Sequence, residues 1–414
     1  MTGNILELWL NGQHLGQIEQ LRNRDLRVRF SDEAITANGV GSRVLSLALP
    51  ITTRRVQGVA LERFVEGLLP EGRVRAALER EYNVRPNDSF GLLRAIGQEC
   101  AGAIQFTAEG QEPGPGQLRA MSDIEVAELV RNLPTLTPPD GLPVTASLGG
   151  VQSKVLLART ADGWAWPVDG AQSTHIIKPE PITDVVVAHL IESEDWALRL
   201  ARSIGITTAS AELADFDGRK AIVVKRYDRA YGRRMHQEDF TQALGVATSD
   251  KYESALSAGP GRLHAIATLG ADFAIVPTRF REALLKAVAF NAIIGNGDAH
   301  SKNYSLTISS TGDFDIAPLY DSAPVYLLSA SISHSGHALD GQVDLRYITA
   351  GHLVNEAVSW GVHADEATDI VAGIAESVAT TAPTLGITES LQTLPALVGR
   401  RAATFLAGIP KRPR

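Results

Sequence analysis

Cysteine is almost missing from this 414-residue chain, in which Cys100 stands alone. A disulfide framework is therefore excluded, and so is a zinc site built on thiolates. The scarcity fits a reducing compartment. Long apolar runs are missing too. No uninterrupted stretch approaches the about 20 residues that cross a bilayer, and the first ten residues lack the basic-then-apolar build of a secretory leader. The expected location is cytoplasmic, which leaves the sequon at Asn303 (Asn-Tyr-Ser) without meaning for glycosylation. Positive charge is in deficit, with 39 Lys and Arg against 47 Asp and Glu and a net charge of −8. Gripping DNA unaided needs massed cations, so this chain would reach nucleic acid only through a basic partner. No internal repeat is visible.

What is present is ordinary globular material. Hydrophobic residues make up 44% and charged residues 21%, close to the soluble average, which excludes a disordered chain, a collagen-like repeat and a coiled coil. The length exceeds what one compact core usually holds, so two or three packed units are expected. Leu6, Leu8 and Leu10 alternate with Glu7 and Trp9 before Asn11-Gly12, the pattern of a strand entering a type I′ hairpin. Further strands are expected at 26–30 and 44–49, and helices at 71–82, just after Pro70, and at 89–96, behind Asp88. Residues 110–116 (Gly-Gln-Glu-Pro-Gly-Pro-Gly) support neither helix nor strand. That linker divides an expected β-rich unit, 1–112, from 117–235 and a helical 236–414.

After a helix at 122–133, strands at 155–159, 174–178, 209–214 and 221–226, with a turn at Asp162-Gly163, predict an antiparallel sheet. One long helix at 184–204 interrupts it. Helices then dominate, at 279–294, 352–360, 364–378 and 394–407. Strand-rich followed by helix-rich sequence predicts an α+β fold, not a doubly wound parallel sheet.

The chemistry concentrates in residues 291–306, Asn-Ala-Ile-Ile-Gly-Asn-Gly-Asp-Ala-His-Ser-Lys-Asn-Tyr-Ser-Leu. An apolar helix ends at Gly295, a polar loop carries Asp298, His300, Lys302 and Asn303, and a strand comes next at 304–308. A turn at Gly312-Asp313 then leads to Pro318-Leu319-Tyr320-Asp321, so the hairpin would return Asp321 to the loop. Phosphoryl transfer needs such a set: one carboxylate to accept the proton of the attacking hydroxyl, and a second carboxylate with a neutral amide oxygen to hold Mg²⁺, a hard cation. The spacing of Asp298 and Asn303 equals that of the protein-kinase catalytic loop. It assigns Asp298 as base and Asn303 and Asp321 as metal ligands. The bland alternative is a polar loop capping a helix, although two such loops would have no reason to be joined by one tight hairpin.

A kinase also needs a cation on the nucleotide phosphates and an acid to hold it. Lys178 ends the apolar strand His175-Ile176-Ile177, and the next helix carries Glu192, Glu194 and Asp195. A Lys178–Glu194 pair would meet that need. A snorkelling strand-end lysine is the competing reading. The loop Ser147-Leu148-Gly149-Gly150-Val151-Gln152-Ser153-Lys154 lacks the P-loop pattern. Its two glycines would still admit backbone N–H groups to phosphate oxygens, with Lys154 adding a charge. A plain glycine turn remains open there.

Together these segments resemble the HipA family of bacterial serine/threonine kinases, the toxins of type II toxin–antitoxin pairs. The likeness runs from Leu68-Leu69-Pro70-Glu71, Ala95-Ile96-Gly97 and Gly102-Ala103 through Arg226-Tyr227-Asp228-Arg229, Gln237-Glu238-Asp239 and Lys251-Tyr252-Glu253 to the loop and Tyr320-Asp321. The resemblance implies a two-lobed protein-kinase-like fold, with an N-terminal β-rich HipA-type subdomain and a helical C-terminal lobe. It implies ATP and Mg²⁺ as cofactors. Nucleotide contacts would come from Gly149, Gly150, Val151, Gln152, Ser153, Lys154 and Lys178, from Lys225, Arg226 and Tyr227 around adenine, and from His300, Ser301, Lys302, Asn303, Tyr320 and Asp321. Ser147 matches the serine that family members phosphorylate on themselves. Lys225 departs from the family pattern, which has a Glu before Arg-Phe-Asp-Arg, so a contact through that acid would be lost. The implied partners are a HipB-type helix-turn-helix antitoxin, which would bring the DNA contact, and a protein substrate of the aminoacyl-tRNA synthetase class.

Other candidates are set aside. His334 and His337 lack a third metal ligand and are expected in a mobile polar loop. Arg22, Arg24, Arg27 and Arg29, and the basic end at Arg400, Arg401, Lys411, Arg412 and Arg414, are expected to be solvated faces. Cys100 is expected in the core. Two further functions compete with the protein kinase: a small-molecule kinase of the same fold, and a nucleotide-binding co-repressor without turnover.

Overall fold

The computed structural model describes residues 3–133, 152–182, 187–254 and 261–409. Two compact units emerge. One is built from Met1–Pro179, Ala214–Thr248 and Thr307–Asp313, the other from Glu180–Leu213, Ser249–Leu306 and Phe314–Arg414.

The first unit begins as the sequence predicts. Ile5–Leu10 and Gln13–Gln20 pair antiparallel, and Asn11 and Gly12 both have positive φ, 53° and 75°, as a type I′ turn requires. Leu26–Phe30 and Val56–Gln57 extend this sheet on one side and Ile104–Ala108 on the other. Leu6, Leu8 and Leu10 point into the core with Phe30, Phe64 and Phe90. The helix Ser89–Ile96 starts where Asp88 accepts the Gly91 N–H.

The strand expected at 44–49 does not form. Val44, Leu45, Leu47 and Leu49 are buried as a strand's residues would be, but their backbone is satisfied otherwise. Leu47 N–H donates to the Glu238 carboxyl, Leu49 N–H to the Ser46 carbonyl, and Ile51 N–H to the Ser42 carbonyl. Apolar burial alone therefore mimicked a strand.

A six-stranded sheet comes next, in the order Ala211–Phe216, Arg219–Lys225, His175–Pro179, Val155–Thr160, Gly163–Val168, Gln117–Met121. The first of these strands is where the chain re-enters the unit. The central pairings are antiparallel and set Lys178 opposite Ile222 and Lys225 opposite His175. Gln117–Met121, which the sequence pattern did not reveal, pairs with Gly163–Val168 immediately after the linker. Gly116 makes the entry possible: its φ is +64°, and a Cβ there would sit 2.1 Å from Ala171 N. The helix Asp123–Asn132 opens on a capping box between Ser122 and Glu125.

The second unit is helical: Leu190–Ser203, Arg262–Phe273, Pro277–Ile294, Ala350–Ser359, Ala364–Thr381 and Leu394–Ala407. Trp196, Phe280 and Phe290 are fully buried in it. The long helix expected from 184 begins at Leu190, and His189 before it is left-handed (φ 58°). Its first N–H groups, Leu190 and Ile191, donate to the Glu180 carboxylate at 3.0 and 3.1 Å. A cap ten residues upstream leaves no local signature in sequence. His334 and His337 are not in a loop. They lie on His334–Leu339, paired with Gln342–Asp344, and His337 is buried beside the Tyr304 ring. Backbone pairing and ring packing explain the difference.

Candidate active site

The helix Pro277–Ile294 begins with Pro at its first position and stops at Gly295, left-handed at φ 81°, both as helix-end chemistry favours. One buried amide near its end ties the neighbouring segments together. Asn291 Nδ2 donates to the Tyr304 hydroxyl at 2.8 Å, while its Oδ1 accepts from Asn296 Nδ2 at 3.0 Å and from Ser322 Oγ at 2.6 Å. Helix end, polar loop, adjoining strand and returning segment thus meet on one side chain. Sequence reasoning missed Asn291. Its visible signal is a polar residue inside the otherwise apolar run Val288 to Ile294.

Asp298 sits in a tight turn just beyond. Its N–H donates to Asn296 Oδ1 at 3.1 Å, and its carbonyl accepts from His300 N–H at 2.8 Å and Asn303 Nδ2 at 2.7 Å. The Asp–Asn spacing of five is therefore a physical link. With Nδ2 held on the backbone, Asn303 turns Oδ1 the other way, as an amide ligand to a hard cation must. The Asp298 side chain is 47% exposed, and its Oδ1 lies 3.8 Å from His300 Nε2 and accepts from the Tyr252 hydroxyl. The hairpin Ser305–Ile308 to Phe314–Ile316 returns the chain. Tyr320 hydroxyl donates to the Lys302 carbonyl at 2.8 Å and bonds Ser305 Oγ at 2.7 Å. Asp321 adopts left-handed φ of 51° and lies near enough for its charge to act on His300.

His300 is buried. Burial, and then the charge of Lys251, push its pKa down to about 3. Both effects favour the neutral ring. Ser301 and Lys302 are buried as well. Ser301 N–H donates to the Lys251 carbonyl at 3.1 Å.

The remaining candidates divide between the units. Glu194 is buried on Leu190–Ser203 in the second, where Glu192 accepts from Thr388 and Ser390 and Asp195 pairs with Arg199. Lys178 is buried at 6% exposure in the first. Gln152, Ser153 and Lys154 are half-buried ahead of Val155–Thr160, and Gln152 Nε2 has no hydrogen-bond partner among the described residues. Ser147, Gly149, Gly150 and Val151 lie outside the described residues. Lys225 is exposed, and Tyr227 donates its hydroxyl to Gln237 Oε1 at 2.9 Å.

Arg226 is committed elsewhere. Its guanidinium donates to Asp228, Glu99, Ser173 Oγ and the Cys100 carbonyl, and its N–H to the Thr174 carbonyl. Its side chain thus serves the fold. Glu99, fully buried, also accepts from Arg229, Arg234 and the Ser173 N–H. Burial works to raise the Glu99 carboxyl, but Arg229, Arg226 and Arg234 overcome that and hold it below its usual range. Arg226 and Arg229 likewise keep Asp228 well below the carboxylate range despite burial. Cys100, buried at the foot of this network, is the core residue expected.

No group of three or more His, Cys, Asp or Glu among the described residues is placed to hold a metal by itself. A nucleotide-bound Mg²⁺ does not need one, since it takes one or two carboxylates and completes its shell with phosphate and water. One amide oxygen and one carboxylate, Asn303 and Asp321, fit that use.

Comparison with known proteins points to a kinase family. The HipA N-terminal domain matches residues 6–107 and the HipA-like C-terminal domain matches residues 146–382. The serine/threonine-protein kinase toxin HipA of Shewanella oneidensis is 31% identical over 313 residues, 71% of this chain and 70% of that one. The putative kinase Y4mE of Sinorhizobium fredii is 36% identical over 335 residues, covering 78% and 77%. Among solved structures, the Shewanella oneidensis MR-1 HipA, HipB and operator DNA complex contains a chain matching at TM-score 0.76 and 25% identity, over 98% of this chain and 96% of that one. The chain belongs to the HipA family, and its α+β, kinase-like fold is the HipA fold.

Proposed function

We propose that this protein is a Mg²⁺- and ATP-dependent serine/threonine kinase, the toxin of a HipBA-type system. The observation that supports the reading is the hydrogen bond from Asn303 Nδ2 to the Asp298 carbonyl, which links the two residues that this reading takes as base and metal-ligand amide. Asp298 accepts the proton of the attacking hydroxyl. Asn303 and Asp321 hold the ion, which neutralises charge on the phosphates when bound. Lys178 and Glu194 are the lysine and the acid that this reading assigns to the nucleotide phosphates, with Lys154, Gly149, Gly150 and Val151 as further nucleotide contacts. The 225–227 segment lines adenine through backbone atoms and the Tyr227 ring. Catalysis of this kind is chiefly positioning and electrostatics.

Ser147 is the autophosphorylation site in this reading, and a protein of the aminoacyl-tRNA synthetase class is the external substrate. The partner is a small helix-turn-helix antitoxin that supplies the DNA contact. Net charge of −8 supports that division of labour, as does the basic strip, whose Arg24 and Arg27 pair with Asp88 and Glu19. A cytoplasmic location accords with the finding that no helix among the described residues is long and apolar enough to cross a membrane.

Labelled ATP with the protein alone tests the reading. Label on Ser147 is expected. Label only on an added metabolite would favour a small-molecule kinase, and ATP binding without any transfer would favour a co-repressor.

A further inference from the structure

A carboxylate acting as base must present one oxygen to the attacking hydroxyl in a fixed direction. Asp298 is too exposed, at 47%, for packing to fix its side-chain rotation. The Tyr252 hydroxyl donates to its Oδ1, and the Tyr252 ring stands edge-on to His300, 4.8 Å between centroids.

Both neighbours of Tyr252 are anchored. The Lys251 carbonyl accepts from Ser301 N–H at 3.1 Å and from Arg262 Nη1 at 3.0 Å, and the same Nη1 reaches Ser301 Oγ at 3.3 Å. Glu253 N–H donates to the Gly336 carbonyl at 2.9 Å, while its carboxylate accepts from Arg262 N–H at 3.1 Å and Ala338 N–H at 3.3 Å. Residue 252 is thereby held against the polar loop from both sides. Tyr252 is 47% exposed, more than a residue kept only for packing needs.

We propose that Tyr252 is a positioning residue for phosphoryl transfer. It engages Oδ1 of Asp298 and so directs Oδ2 towards the substrate hydroxyl, while its ring holds His300 in the loop. The proposal rests on Asp298 being the base, and it gives the Lys251-Tyr252-Glu253 segment a role beyond family likeness.

Two variants separate hydrogen bonding from packing. Tyr252→Phe keeps the ring on His300 and removes only the donor. Its kcat is expected to fall about 10- to 100-fold, the range for losing a bond to a charged group that aligns a reacting atom. The KM for ATP, the ATP dissociation constant and the melting temperature are expected to stay near the parent's. Tyr252→Ala is expected to lose at least as much. A crystal structure of Tyr252→Phe is expected to show the Asp298 carboxylate rotated or spread over more than one rotamer. Parental kcat in Tyr252→Phe with loss only in Tyr252→Ala would overturn the proposal, as would an unchanged single Asp298 rotamer. Absence of transfer in the parent protein would instead remove the kinase reading beneath it, so the two failures are distinguishable.

Discussion

Replacing Glu99 with Gln tests whether the Arg226-Tyr227-Asp228-Arg229 segment is held by charge. Glu99 is fully buried, and the Arg226 and Arg229 side chains that meet it are 1% and 2% exposed. The amide keeps the shape of the side chain and removes its charge. Asp228, with salt-bridge contacts to Arg226 and Arg229, would then remain as the acid facing two buried guanidinium groups. Removing one partner of a buried ion pair commonly costs about 3–5 kcal/mol, because the opposite charge is left uncompensated. A loss of that size is expected for Glu99→Gln in urea denaturation monitored by tryptophan fluorescence, since Trp164 and Trp166 lie in the same unit. The dependence on pH carries a definite sign. Glu99 has a lowered pKa in the folded protein, so its contribution is present above the ordinary carboxylate pKa and is lost as pH falls through the folded value. The variant should therefore be destabilised most at neutral pH and converge on the parent in acid. A loss below about 1 kcal/mol at pH 7 would mean that packing holds the segment and the charges are incidental.

Glu238 works in the opposite direction. Burial lifts its carboxyl to about 8, and its Oε2 lacks a hydrogen-bond partner among the described residues, so the folded protein holds it protonated. Stability from this group is present below the unfolded pKa and is lost as pH rises towards about 8, and Glu238→Gln is expected to flatten that decline in melting temperature. Asn291→Ala strips partners from Tyr304, Asn296 and Ser322 at once. It should cost about 3 kcal/mol or more, since three polar groups each lose a partner and a buried one left unpaired costs about 1–3 kcal/mol, and it should depress phosphoryl transfer more than ATP binding. Lys178→Ala is expected to lower transfer by about 10²–10³ or more, the usual cost of one electrostatic donor, measured as kcat with labelled ATP.

Much of the fold was legible where local chemistry and burial agree. Asn11-Gly12, the Asp88 cap and the helix end at Gly295 all act within a few residues of themselves. The 44–49 segment was misread because its burial mimics a strand's, and the start of Leu190–Ser203 and the strand Gln117–Met121 were misread or missed because their backbone partners, Glu180 and Gly163–Val168, lie outside the local window. In the candidate site, the spacing of Asp298 and Asn303 was legible because it is local. Asn291 and Tyr252 were not, since each acts through groups that only the folded chain brings near. Nothing in the order of residues announces that Arg226 spends its side chain on Glu99.

The central claim is that Asp298 takes the proton of the attacking hydroxyl. Single-turnover transfer from ATP, measured beside equilibrium ATP binding in Asp298→Asn, tests it most directly. ATP binding near the parental value with transfer reduced by about 10²–10⁴, the span of a lost general base, is the expected result. Transfer at the parental rate would contradict the assignment.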